Sequence, residues 1–377
     1  LQFIERKYTS LKQIVRTVLE KRNFGFDMIR AMAILLVMTG HVLGYIYEGK
    51  YSFFTSFFSG LFGVEVFFVL SGVLIGKLLI DIFNSDHVQR NLKNFVIRRW
   101  LRTLPLYFIM LLIYWLGNKY VDSVKNTDVE FWKYLLFIQN FFHVQPTFFG
   151  VSWSLSIEEW FYVLFPLTLL LVKKIQRNLS SKRIVAVGIF IFLFSFLFMR
   201  IIAFNHYHFT FYEGARKVAF LRLDSIAVGI LMAMAFHFYE QKVLLNRYVL
   251  LWLGIALVMI NQYLIFRNNY SDLYYFNTFY YSVLGLGLAF IFPFFKEIKC
   301  SSNLILSSVR YTSKVSYSLY LQHWLVFKIL ELHYFNAIPG VVKFILFFII
   351  SFITAGISYI FIEKPIMNYR NRAYGKN

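Results

Sequence analysis

The sequence predicts an all-α integral membrane protein, a bundle of about ten transmembrane helices with both termini in the cytoplasm. Three observations lead there. The chain is 59% hydrophobic and 21% aromatic with only 15% charged residues, and its mean hydropathy is +0.59. Apolar runs recur at roughly the twenty-residue length that carries a helix across about 30 Å of hydrocarbon. Lys and Arg collect in alternate loops, as cytoplasmic loops retain positive charge.

Taken in order, the predicted spans are 27–47, 60–80, 103–116, 152–172, 184–204, 217–238, 248–266, 274–295, 315–332 and 341–362. The third is short for a full crossing and the sixth carries charges. The basic loops hold Arg90 to Arg102, Lys173 to Arg183, Lys242 with Arg247, and Lys296 to Lys314, together with both ends of the chain. The opposite loops hold only Lys50, Lys119, Lys125, Lys133, Arg216 and Arg267. An odd number of helices would put the two basic ends on opposite faces, so an even number is expected.

Residues 1–24 space Ile4, Tyr8, Leu11, Val15 and Val18 by fours and threes with basic residues between them. That pattern suits a helix lying on an anionic inner leaflet. Without an uninterrupted apolar stretch it does not read as a cleaved signal peptide. Residues 25–368 are expected to form one transmembrane domain, and 369–377 a basic cytoplasmic tail. The formal net charge of +20 is dispersed over short loops, which argues for topology and against a nucleic-acid partner. The single Cys300 precludes an intramolecular disulfide and a thiol metal site. No Walker loop, dinucleotide fingerprint or zinc helix is present, and no metal is expected.

Ionisable side chains inside the spans are candidates for function. Arg30 and His41 are eleven residues apart, which returns to within about 20° of the same helix face at a separation of about 16 Å. Counted from span midpoints, His41, Glu65, Glu158, Glu159 and Asp224 fall about 4–7 Å to the outer side and His323 close to the midplane. Arg30 falls about 10 Å to the inner side, level with Arg98, Arg99 and Arg102. An inner layer of guanidinium groups can clamp phosphate in bidentate fashion, and imidazole beside a carboxylate can act as a base. Such layering suits an anionic donor entering from the cytosol and a neutral acceptor entering from outside.

Several motifs, in order, resemble the acyltransferase 3 family of membrane acyltransferases over essentially all of residues 25–368. FDMIRAMAILLVMTGH (26–41) resembles the family's first helix, with Arg, ten residues, then His. GVEVFFVLSGVLIGKLL (63–79), FVIRRWLRTLPLYF (95–108) with its Arg-x-x-Arg, and VSWSLSIEEWFYVLFP (151–166) resemble the following signatures. RLDSIAVGIL (222–231) and VSYSLYLQHW (315–324) match later helices. Glu65 stands where the family motif carries aspartate, a departure of one methylene in reach.

The resemblance implies O-acyl transfer, usually acetyl from cytosolic acetyl-CoA, to a hydroxyl of an extracytoplasmic or lipid-linked glycan such as O-antigen or exopolysaccharide, in a bacterial cytoplasmic (inner) membrane. In that reading Arg30, Arg98, Arg99 and Arg102 hold the phosphates of the acyl-CoA, and His41 is the general base. Glu65 orients it, Glu158 is the catalytic acid of the fourth span in preference to Glu159, and Trp153, His323 and Asp224 are substrate contacts. Blander readings stand beside each role. His41 can simply bond another helix, Arg30 can snorkel to headgroups, and Arg98, Arg99 and Arg102 can serve topology alone. Asp224 can pair with Arg222 or across helices, His323 can be packing, and Ser71 with Gly72 can mark a close helix approach. The aromatics Phe53, Phe54, Phe57, Phe58, Trp132, Phe141, Phe142, Phe148 and Phe149 read as an interfacial belt, and 119–150 as an acceptor lid. Rival classes are a polyprenyl-linked glycan exporter or flippase, and a membrane sensor or scaffold. The sequence stops soon after the tenth span, so transfer is expected to be finished by this chain or by a separate protein.

Overall fold

The computed structural model describes residues 22–46, 60–120, 129–144, 147–207, 214–268, 274–333 and 339–375, and among them no strand occurs. The long helices are α1 (Phe24–Ile46), α2 (Gly60–Asn84) and α3 (Val88–Tyr120). After the short α4 (Phe131–Leu135) come α5 (Trp153–Ile175), α6 (Ser181–Tyr207), α7 (Asp224–Leu245) and α8 (Arg247–Asn268). The short α9 (Tyr274–Thr278) leads to α10 (Tyr280–Lys296), α11 (Asn303–His333) and α12 (Gly340–Ser358). A π-helical turn, Tyr359–Glu363, joins α12 to α13 (Lys364–Ala373).

The predicted spans overlap described helices, and by length and composition seven described helices are long and apolar enough to cross a membrane. The outward faces say the same. Phe190, Phe194 and Phe198 follow one another along α6 at 68%, 59% and 50% exposure, their rings stacked with centroids 6.0 and 6.2 Å apart. A continuous exposed apolar stripe of that kind is stable against lipid tails and a liability in water. The chain is an all-α membrane protein.

Local differences from the predicted spans have physical causes. The third span, expected at 103–116, is the end of a 33-residue helix that begins at Val88. Its basic first half is therefore helical and not a loop, and it continues through Pro105. The sixth span starts only at Asp224, preceded by a 3-10 turn at Ala219–Leu221. The eighth is split at Phe279 into α9 and α10. The interfacial helix expected for residues 1–24 lies almost wholly outside the described residues, whereas 369–373 belong to α13 and pack against α3.

The most intimate helix pair is α2 with α7. A Cβ on Gly72 would lie 2.1 Å from the Ile226 carbonyl oxygen, and one on Gly229 would lie 2.1 Å from that of Val69. Only glycine allows this approach, and small residues at such crossings are how helices pack closely where no hydrophobic force drives them together in lipid. Helix α1 packs against both α2 and α11, and α10 packs against α7. Residues of α1, α2, α3, α5 and α11 together line one cavity.

Part of the expected aromatic belt is interior. Phe149 is fully buried and stacks on Tyr114 at 4.4 Å and Tyr107 at 5.6 Å. Phe148 packs edge-on against Tyr134 at 5.1 Å. The rings of Phe148 and Phe149 belong to the core. Phe142 and Trp132 are exposed, at 59% and 51%, and Phe53, Phe54, Phe57 and Phe58 lie outside the described residues.

Candidate active site

A cavity is lined by Arg30 from α1, Ser71 from α2, Arg99, Arg102 and Thr103 from α3, Ser154, Glu158 and Tyr162 from α5, and Tyr317 and Tyr320 from α11. Three of the four arginines read from the sequence as a clamp therefore share one space. Arg30 faces this cavity, and Arg99 lies 5.4 Å over the Tyr162 ring and 5.7 Å over Phe95. Guanidinium groups stacked on aromatic faces keep their donor edges free for an anion.

Arg98 is turned elsewhere. Its Nη1 donates to the Gly375 carbonyl and, at 3.3 Å, to that of Tyr374. It lines a neighbouring cavity with Arg99, Arg102 and Arg370.

Glu158 is in the cavity and Glu159 is not. Ser71 Oγ donates to Glu158 Oε1 at 2.5 Å. Glu159 accepts from Thr103 Oγ1 at 2.9 Å and borders a separate apolar groove with Trp100, Phe108 and Trp160. Adjacent residues on a helix diverge by about 100°, so only one of the two can face the arginines. Glu158 consequently shares its cavity with Arg30, Arg99 and Arg102.

Tyr320 also lines the cavity. Its hydroxyl lies 2.5 Å from Ser154 Oγ and donates to the Val151 carbonyl at 3.0 Å, and its ring centroid is 5.9 Å from that of His323. His323 is fully buried. Its Nδ1 is 3.0 Å from the Leu319 carbonyl, and its Nε2 is 3.0 Å from His41 Nδ1. A carbonyl accepts only, so His323 carries its proton on Nδ1 and its neutral ring presents a lone pair at Nε2. His41 then donates from Nδ1, which leaves His41 Nε2 as the basic nitrogen. Trp324 flanks the His41 ring with centroids 5.0 Å apart.

The partner of His41 is therefore an imidazole, which corrects the orienting role expected of Glu65. Glu65 accepts from Arg222 Nη2 instead, and both side chains are fully buried. Arg222 also lies 3.5 Å over the Tyr281 ring, so burial of the cation is offset by a carboxylate and an aromatic face.

Asp224 is likewise consumed. It accepts two bonds of 2.8 Å from Arg200 and one of 2.9 Å from Ser282, which corrects its reading as a substrate contact. Trp153 is a core residue. Its carbonyl accepts from Asn140 Nδ2 at 3.1 Å and Arg216 lies 5.3 Å over its ring, while its neighbours Ser154 and Leu155 line the cavity in its place. Among the described residues no group of three or more His, Cys, Asp or Glu is placed to hold a metal ion.

The profile of the acyltransferase 3 family, an acyltransferase domain, matches residues 23–363. The chain belongs to this family. A Staphylococcus aureus (strain COL) protein named "Putative O-acetyltransferase SACOL0978" is 28% identical over 368 residues, covering 90% of this chain and 56% of the relative. O-acetyltransferase OatA of Staphylococcus aureus (strain NCTC 8325 / PS 47) is 25% identical over 378 residues, covering 93% of this chain and 58% of the relative. The chain thus spans a little over half the length of the curated relatives it matches. No solved structure matches it. Within this acyltransferase 3 chain, sequence reasoning missed Tyr320, Arg370, Arg200 and Arg216. Arg200 carried a signal, since an arginine in the middle of an apolar run requires a buried partner. Arg370 sat in what read as a tail.

Proposed function

We propose that the protein is a multi-pass O-acetyltransferase of a bacterial cytoplasmic membrane, moving acetyl from cytosolic acetyl-CoA to a hydroxyl of an extracytoplasmic or lipid-linked glycan. One observation carries this reading. Arg30, Arg99 and Arg102 line a cavity that Tyr320 also lines, and the Tyr320 ring packs beside His323 of the His323–His41 pair. Phosphates held by the guanidinium groups would fix the donor, and the cavity would lead its acyl arm toward the imidazoles.

In the reaction, His41 Nε2 takes the proton of the acceptor hydroxyl as its oxygen attacks the thioester carbonyl. The C–S bond then breaks and the thiolate takes the proton back from His41, giving the O-acetyl ester and free CoA. His323 holds His41 in the required tautomer and accepts from Nδ1–H while the ring is charged. Glu158 and Ser71 set the charge balance among the arginines.

The test uses full-length protein in lipid nanodiscs with radiolabelled acetyl-CoA and cell-surface glycan. Label transferred to glycan is the expected result. Movement of lipid-linked glycan without label transfer would instead identify an exporter.

A further inference from the structure

We propose that α13 forms the outer wall of the donor site, with Arg370 binding the phosphorylated nucleotide end of the acyl carrier. This rests on the reading of the protein as an acyl-CoA-dependent transferase and adds a binding residue to it.

The second cavity is lined by Arg98, Arg99, Arg102, Arg370, Leu78 and Phe95. Four guanidinium groups share it and no carboxylate is in its lining. Like charges so close repel, so an arrangement of this kind is stabilised when an anion of several charges fills it. Arg99 and Arg102 also line the main cavity, so one elongated ligand can occupy both spaces. Its polyanionic end would lie among Arg98, Arg99, Arg102 and Arg370, and its uncharged arm would run past Ser71 toward Tyr320.

Helix α13 is built into this wall. The π-turn at Tyr359–Glu363 redirects the chain at the end of α12, and Ser318 Oγ fastens the turn through Glu363. At the other end, Arg98 binds the Tyr374 and Gly375 carbonyls, and Gly375 takes the left-handed conformation (φ 72°) that ends a helix. Between these two fastenings Arg370 faces the three arginines of α3. Its own protein bonds, at 3.0 and 3.2 Å, go only to Asn371 Oδ1 on the next residue, a contact that an incoming phosphate can replace.

The test compares the native protein, Arg370→Ala and Arg370→Lys in nanodiscs with two donors, acetyl-CoA and S-acetylpantetheine, which lacks every phosphate. Loss of one charge-assisted contact raises KM for acetyl-CoA about tenfold in Arg370→Ala, leaves kcat within about twofold, and leaves KM for S-acetylpantetheine unchanged. Arg370→Lys restores part of the affinity. Equal changes with both donors, or none with acetyl-CoA, would overturn the proposal. Binding of adenosine 3′,5′-bisphosphate is measured calorimetrically on the same samples. Binding about tenfold tighter to the native protein than to Arg370→Ala supports the site even if no transfer occurs, in which case the transferase reading fails alone. Equal binding, or none, overturns the role of Arg370. Matching thermal unfolding of the variants is the folding control.

Discussion

His323 Nε2 lies 3.0 Å from His41 Nδ1, while His323 Nδ1 is committed to the Leu319 carbonyl. This chain of two bonds fixes both tautomers and leaves His41 Nε2 as the proton acceptor. Replacing His323 with Ala therefore lowers the transfer rate by about 10-fold or more, because His41 loses the acceptor that fixes its tautomer as a general base. KM for acetyl-CoA stays near the native value, since the arginine cavity is untouched. Steady-state kinetics on the reconstituted variant check both.

Glu65 and Arg222 form a fully buried ion pair. Removing one partner leaves an uncompensated charge, so Glu65→Ala costs about 3–5 kcal/mol of stability. Replacing both with apolar residues of similar volume recovers most of it. Thermal unfolding in detergent for the two single variants and the double variant gives the coupling.

Gly72 and Gly229 let α2 and α7 touch at the backbone. Because a Cβ on Gly72 would meet the Ile226 carbonyl at 2.1 Å, Gly72→Ala must push the helices apart. The expected loss is about 1–3 kcal/mol, seen as a lower unfolding temperature. Gly117, whose Cβ would meet nothing within 4 Å, tolerates the same change and serves as the control.

Glu158 and Glu159 are adjacent, but only Glu158 lines the arginine cavity. Glu158→Gln consequently changes KM for acetyl-CoA by about threefold or more, the effect of altering one charge beside the bound phosphates. Glu159→Gln leaves that KM unchanged and acts on stability through Thr103. Parallel titrations of donor concentration separate the two.

The sequence made some of this legible and not the rest, for reasons that lie in particular residues. Arg30 and His41 share a helix face because eleven residues complete about three turns, and both do face the interior. Gly72 was readable as a close approach because glycine beside serine in an apolar run has few other uses. Phe148 and Phe149 were misread, since an interfacial ring and a core ring look alike in one dimension. The His41–His323, Glu65–Arg222 and Arg200–Asp224 pairs were not readable. The first two join residues 282 and 157 positions apart, and a polar side chain in a span announces only that it needs a partner. That Glu158 and not Glu159 shares a cavity with the arginines depends on how α5 is rotated against α3, which residue spacing on one helix does not record.

The most direct measurement is the initial rate of acetyl transfer from acetyl-CoA to glycan by His41→Ala in nanodiscs, beside native protein of equal unfolding temperature. If His41 Nε2 is the base, the rate falls by at least about 100-fold while binding of the donor is retained. A variant that transfers acetyl at the native rate would contradict the central claim.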